Sequence, residues 1–117
     1  PPELQQYYRF PLLGQQLLSK LPGFAKIANT ISYVLERYDG SGPLKVGGED
    51  IPLPAQIIVL SDDAFRIIHS SSLSKGSDFQ YGKTYMINHV RKNISKLYDP
   101  NLAHAAIRYL STKTSAN

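Results

Sequence analysis

The chain has 117 residues, 42% of them hydrophobic, and its 13 lysines and arginines against 9 aspartates and glutamates leave it at +4. That length and mixture fit one globular domain with a core of ordinary size and exclude a disordered chain. The absence of cysteine excludes disulfides, thiolate metal sites and cysteine nucleophiles, and no apolar run approaches the roughly 18 residues of a membrane span.

Pro1-Pro2-Glu3 reads as a helix start with proline in its first turn, not as a secretory leader. The expectation is a piece of a longer chain or a processed domain, cytoplasmic and with no membrane partner. Residues 2–20 carry Leu4, Tyr7, Tyr8, Leu13, Leu17 and Leu18 at helical spacing, interrupted by Pro11. Proline removes a backbone donor and pushes Phe10 from the α region, so two short helices (2–9 and 11–20) or one kinked helix are expected. Leu21-Pro22-Gly23 is a connector. Residues 23–38 form the clearest predicted helix, with Phe24, Ile27, Ala28, Ile31, Val34, Leu35 and Tyr38 on one stripe.

That helix runs into Glu36-Arg37-Tyr38-Asp39-Gly40-Ser41-Gly42-Pro43. Asp39-Gly40 is a turn signal, and Gly42-Pro43 blocks a helical restart. Residues 39–54 read as a structured loop ending in the extended Ile51-Pro52-Leu53-Pro54, with Ile51 and Leu53 open to a partner. Residues 55–68 then read as a buried central helix, because Ile57-Ile58-Val59-Leu60 is apolar on all sides; their β-branched content keeps a buried strand as the rival. Asp62 and Asp63 interrupt that run, and a buried carboxylate is costly unless paired. Arg66, four residues after Asp62, supplies the pair.

Residues 69–80 are rich in Ser and Gly and read as a mobile surface loop. A helix is predicted from Tyr81 or Gly82 to Ile94, with Tyr85, Met86, His89 and Val90 on one face. Asp99-Pro100 is a helix start, a capping oxygen followed by proline. The last helix buries Leu102, Ala103, Ala106, Ile107 and Leu110, and residues 113–117 are a frayed tail. The fold class is therefore all-α, a single domain over residues 1–117 with about five or six helices.

Little chemistry is visible at this level. No phosphate-binding glycine loop precedes a helix, and Ser70, Ser71 and Ser72 beside His69 do not make a nucleophile with its base. The +4 charge reads as a solvated surface, because the cations are spread from Arg9 to Lys113. A nucleic-acid partner needs cations gathered on one face with interleaved aromatics. The best local case, residues 83–96 with Tyr85, Arg91, Lys92 and Lys96, is thin, so no nucleic-acid partner is expected.

The order of these segments resembles the C-terminal two-thirds of an HD-GYP domain, the helical metal phosphodiesterase of bacterial signalling proteins. Pro11-Leu12-Leu13-Gly14 is similar to that family's His-Pro-x-x-Gly, and residues 36–42 to its Glu-Arg-(Tyr/Trp)-Asp-Gly-Ser-Gly. Gly48-Glu49-Asp50-Ile51-Pro52 is similar to its Gly-Glu-(Glu/Asp)-Ile-Pro, residues 57–62 to its apolar run ending in Ala-Asp, and residues 98–102 to its Phe-Asp-Pro-x-Leu. The resemblance implies an HD-domain-like bundle and a metal cluster that hydrolyses cyclic di-GMP.

The departures fall on the ligands. The family's His-Asp helix has no counterpart in the chain. Its next histidine is Phe10, and its tandem histidines are Val34 and Leu35; of its ligands only an aspartate is matched, by Asp62. Apolar side chains cannot ligate a cation, and one carboxylate does not hold a divalent ion against water. Gly42 meets Pro43 directly, so the Gly-Tyr-Pro signature lacks its tyrosine. The three histidines, His69, His89 and His104, lie outside the matched positions. The substitutions imply an old metal cavity filled by side chains.

The expected function is thus a catalytically inactive HD-GYP-like module, regulatory or protein-binding, in a response regulator or sensor, with no catalytic residue, no metal and no cofactor. Two alternatives remain: a non-hydrolysing cyclic di-GMP sensor, and a phosphodiesterase completed from outside this chain. A signalling protein is the expected partner, and self-association stays open. The candidate ligand or partner contacts are Arg37, Asp39, Gly40, Gly42, Pro43, Lys45 and Arg66, with Lys75 a further cation for a nucleotide.

Overall fold

The structure, a computed structural model, describes residues 9–112. Among these residues it is all-α: α1 (Phe10–Ser19), α2 (Ala25–Ile31), α3 (Leu53–Ser74), α4 (Phe79–Lys92) and α5 (Pro100–Ser111), with a 3-10 turn at Gly48–Asp50. The first predicted segment, residues 2–9, falls almost wholly outside the described residues, as do the frayed tail and the Pro1-Pro2-Glu3 helix start. Packing divides the chain after Val59 into two compact units, and α3 begins in the first and continues through the second.

In the first unit, α1 starts just before Pro11, where a missing backbone donor costs nothing. It packs on α2 at Gly14, where a Cβ would lie 2.9 Å from Ile31 Cγ2. The predicted helix over 23–38 is much shorter than expected. Asn29, Thr30, Ile31 and Ser32 are all weak helix formers, and the Ser32 hydroxyl bonds the Asn29 carbonyl at 2.6 Å. Beyond Ile31 the backbone tightens into successive turns, Tyr33 N–H to Thr30 O, Val34 N–H to Ile31 O and Glu36 N–H to Tyr33 O.

The second unit is built on α3, α4 and α5. The rival strand reading for residues 57–60 is excluded, since all four lie within α3. The run is not buried on all sides, however: Val59 and Leu60 are buried while Ile57 and Ile58 are exposed, as the turn of a helix requires. α3 also runs through the serines expected to be loop, as far as Ser74. Serine is only mildly unfavourable inside a helix, and Ser72 is buried against the start of α4. The helix ends where Gly76 and Ser77 take φ of +68 and +69 and the Ser77 N–H returns to Ser72 O at 2.7 Å.

Asp78 then caps α4, its Oδ1 accepting from Gln80 N–H at 3.0 Å and Tyr81 N–H at 3.3 Å. Asp99 caps α5 as expected, accepting from Leu102 N–H at 2.9 Å. Leu60, Met86, Val90, Tyr98 and Ala103 form the core, flanked by half-buried Leu102, Ala106, Ile107 and Leu110. Tyr85 does not share this face, being 51% exposed; it lies a quarter-turn or more from Met86.

A Cβ at Gly82 would meet Ser72 Oγ and lie 2.5 Å from the Ile68 carbonyl oxygen, so α3 and α4 approach too closely here for any side chain. Gly82→Ala is expected to destabilise the protein by about 1–3 kcal/mol through overpacking, and Met86→Ala by about 2–5 kcal/mol through the cavity it leaves. Chemical denaturation followed by far-ultraviolet circular dichroism measures both.

Candidate functional site

The segment singled out in sequence, residues 36–48, is folded around one buried carboxylate. Glu36 is only 3% exposed. Leu44 N–H donates to its Oε1 and Oε2 at 3.2 and 3.1 Å, and Val46 N–H donates to Oε1 at 3.4 Å. A buried carboxylate with these charge-assisted partners is satisfied without a counter-cation.

The glycines fit around this anchor. A Cβ at Gly42 would sit 2.7 Å from Glu36 Cα and 2.8 Å from both Glu36 Oε1 and the Leu35 carbonyl oxygen. A Cβ at Gly47 would sit 2.9 Å from the Tyr38 carbonyl oxygen, which accepts from Gly48 N–H at 2.8 Å. Lys45 adopts φ of 58 although it is not glycine, a conformation tolerated where the surroundings hold it. Asp39 is exposed and closes the tip of the turn, accepting from Ser41 N–H at 3.0 Å. The Ser41 hydroxyl, and then that backbone N–H, hold the Asp39 carboxyl below its ordinary value of 3.8.

The proposed contact residues therefore play different parts. Asp39, Pro43 and Lys45 are exposed, Arg37 and Gly40 are half-buried, and Gly42 is buried as a spacer. Ile51, expected to be open to a partner, is instead 2% exposed, whereas Leu53 is exposed at the start of α3. Extended backbone would put both on one side, and the helix that begins at Leu53 separates them. Behind the loop, Pro11, Leu12, Ser32, Leu35, Glu36, Pro43 and Leu44 line a cavity of about 140 Å³, smaller than the roughly 300 Å³ at which ordinary ligand pockets begin.

The matched ligand positions fall in both units, Phe10, Val34 and Leu35 in the first and Asp62 in the second. Phe10 is the first residue of α1 and 44% exposed, so it does not seal an apolar cavity as expected, while Val34 and Leu35 are half-buried in the turns after α2. Asp62 lies on α3 with 61% of its side chain exposed, held by Arg66 Nε at 3.0 Å as the four-residue spacing predicts. The neighbouring carboxylate is the buried one. The Asp63 side chain is 4% exposed; its Oδ1 accepts from Arg66 Nη2 at 2.6 Å and its Oδ2 from Tyr98 Oη at 2.6 Å. Tyr98 Oη also meets His89 Nε2 at 3.1 Å. Sequence spacing offered only the Arg66 pair. The Tyr98 partner, 35 residues away, becomes visible only when α3 meets the segment before α5.

Among the described residues, no three histidine, aspartate or glutamate side chains come together in a group able to hold a metal ion. Phe10, Val34 and Leu35 offer no donor, and Asp62 and Asp63 are engaged by Arg66. The described residues do not fit a metal cluster.

The described residues form an all-α chain with this loop between α2 and α3. The HD domain family profile matches residues 1–102, and the chain belongs to the HD domain family, whose superfamily is of the phosphohydrolase type. No curated protein and no solved structure matches the chain. No His-Asp pair occurs anywhere in its sequence.

Glu36→Ala strands the Leu44 and Val46 N–H groups and is expected to cost about 1–3 kcal/mol, with loss of amide-exchange protection confined to residues 40–48 as the distinguishing readout. Tyr98→Phe is expected to cost a similar amount, about 1–3 kcal/mol, by removing a donor from buried Asp63. Because the folded-state pKa of Asp39 is depressed, its contribution to the turn is full above 3.8 and is lost as pH falls through the lower folded value. Carboxyl-carbon NMR should place the Asp39 midpoint below 3.8 and show it rising in Ser41→Ala.

Proposed function

We propose that this HD-family chain is a non-catalytic, HD-GYP-like signalling module that acts as a regulatory or protein-interaction domain in a bacterial response regulator or sensor. The observation that carries the reading is the donor set: Phe10, Val34 and Leu35 stand at the positions matched to ligands, and the described residues bring no metal-holding group together. Metal-dependent phosphodiester hydrolysis needs cations that lower the pKa of water and clamp phosphate oxygens, and the described side chains do not supply the cage.

The contact surface under this reading is the exposed rim of the 36–48 loop, above all Asp39, Pro43 and Lys45, with Leu53 beyond it. Arg37, Gly40 and Gly42 set its shape. A cytoplasmic location follows from the signalling context. The sensor alternative uses Arg37, Lys45, Arg66 and Lys75 for a cyclic dinucleotide. It is disfavoured by the engagement of Arg66 with two carboxylates and by the small cavity at the loop.

Calorimetric titration with cyclic di-GMP, with and without manganese, tests the proposal. No heat in either titration is the expected result. Saturable binding without metal would establish the sensor and send mutagenesis to Arg37, Lys45 and Arg66. Binding or hydrolysis only with manganese would falsify the non-catalytic reading.

A further inference from the structure

We propose that the exposed face of α4, continued by Lys75 before it and Lys96 after it, binds single-stranded nucleic acid. Charge is the first ground. Residues 1–59 hold five lysines and arginines against five acids, whereas residues 60–117 hold eight against four, so the whole +4 belongs to the second unit. Between Asp78 and Asp99 the chain has exposed Arg91, Lys92 and Lys96, a buried Lys83 that is not part of this face, and no acid at all. The Asp78 carboxylate is occupied in capping the helix.

The helix then gathers what the linear sequence spreads. Tyr81, Tyr85, Asn88 and Lys92 recur at intervals of four, three and four, which places them on one stripe. All four are exposed, and the stripe lies opposite the fully buried Met86 and Val90. Exposed Arg91 flanks its C-terminal end, and Lys96 follows it. At the other end, Lys75 Nζ lies 5.4 Å from the centre of the Tyr81 ring. The Tyr81 and Tyr85 rings are 6.5 Å apart and tilted by 41°, so they are two separate platforms rather than one stacked pair. Cations beside exposed aromatic platforms are the combination that residues 83–96 offer only thinly in linear sequence and that the helix gathers on one face.

This arrangement suits a single strand better than other anionic partners. Unpaired bases present free faces to tyrosine rings while lysine and arginine take the phosphates. In a duplex those faces are already stacked. An anionic membrane would favour an aliphatic face beside the cations, and the stripe has two tyrosines and an asparagine instead. The face belongs to the second unit and does not depend on the 36–48 loop or on the non-catalytic reading.

Fluorescence anisotropy of the full chain with a labelled single-stranded oligouridylate tests the proposal. Saturable binding at low salt is expected, weakened roughly twentyfold between about 50 and about 200 mM salt, the single-strand slope for three neutralised phosphates. Tyr85→Ala should weaken binding by about fivefold or more through lost stacking, Tyr85→Phe should restore it, and Lys92→Gln should flatten the salt slope. These side chains are exposed, so circular dichroism should report an unchanged fold. The proposal is overturned by no anisotropy change at low salt, by binding that Tyr85→Ala leaves intact, by equal or tighter binding to a duplex, or by binding to phosphatidylserine vesicles without binding to the oligonucleotide.

Discussion

The glycine-rich loop over residues 36–48 depends on where the Glu36 carboxylate goes. A buried carboxylate needs hydrogen-bond donors, and in the first unit the backbone N–H groups of Leu44 and Val46 provide them. To deliver those groups, the chain must turn at Asp39-Gly40 and fold back over Glu36. Gly42 has no side chain because Glu36 Cα and the Leu35 carbonyl occupy the space. The turn, the glycine spacing and the positive φ at Lys45 are therefore parts of one arrangement. Each loses its reason if the carboxylate is removed.

The second unit has a comparable centre in Asp63, solved with different partners. Here a guanidinium and a phenol take the two oxygens, and the phenol reaches on to His89. This network links α3, α4 and the segment leading into α5 around one carboxylate inside an otherwise apolar core. Breaking such a network by removing one member leaves a buried charge less well satisfied, so its members are held together more strictly than their individual energies suggest. Asp62, one residue earlier, carries the same charge with little constraint because it faces solvent.

Much of this was legible in the sequence where local rules are strong. The Asp99-Pro100 helix start, the Asp62–Arg66 pair and the all-α class each follow from spacing within one turn of helix. The failures occurred where tertiary partners outweighed local preference. Serines 70–72 read as loop, yet Ser72 lies against Gly82 and the helix continues through it. Residues 32–38 read as helix by periodicity, yet weak helix formers end it and the backbone passes through successive turns to Glu36, whose carboxylate takes the Leu44 and Val46 amides. Ile51 and Leu53 looked equivalent, and only the fold separates the buried one from the exposed one. For the candidate site, the Gly-rich loop was visible in the sequence. The choice of Asp63 over Asp62 was not, because its decisive partner is Tyr98.

The loop and the matched ligand positions are physically separable, and this bears on the non-catalytic reading. If the shape of residues 36–48 depended on a bound cation, replacing ligands by Phe10, Val34 and Leu35 would leave the segment without support. It depends instead on an anion held by backbone amides, all of them within the segment and its immediate flanks. A loop supported in this way needs no cation at the ligand positions to keep its form, so its resemblance to an enzyme's loop is not by itself evidence of an enzyme's chemistry. The inference must come from the donor set, where the matched positions are apolar and the neighbouring carboxylates are already engaged by Arg66.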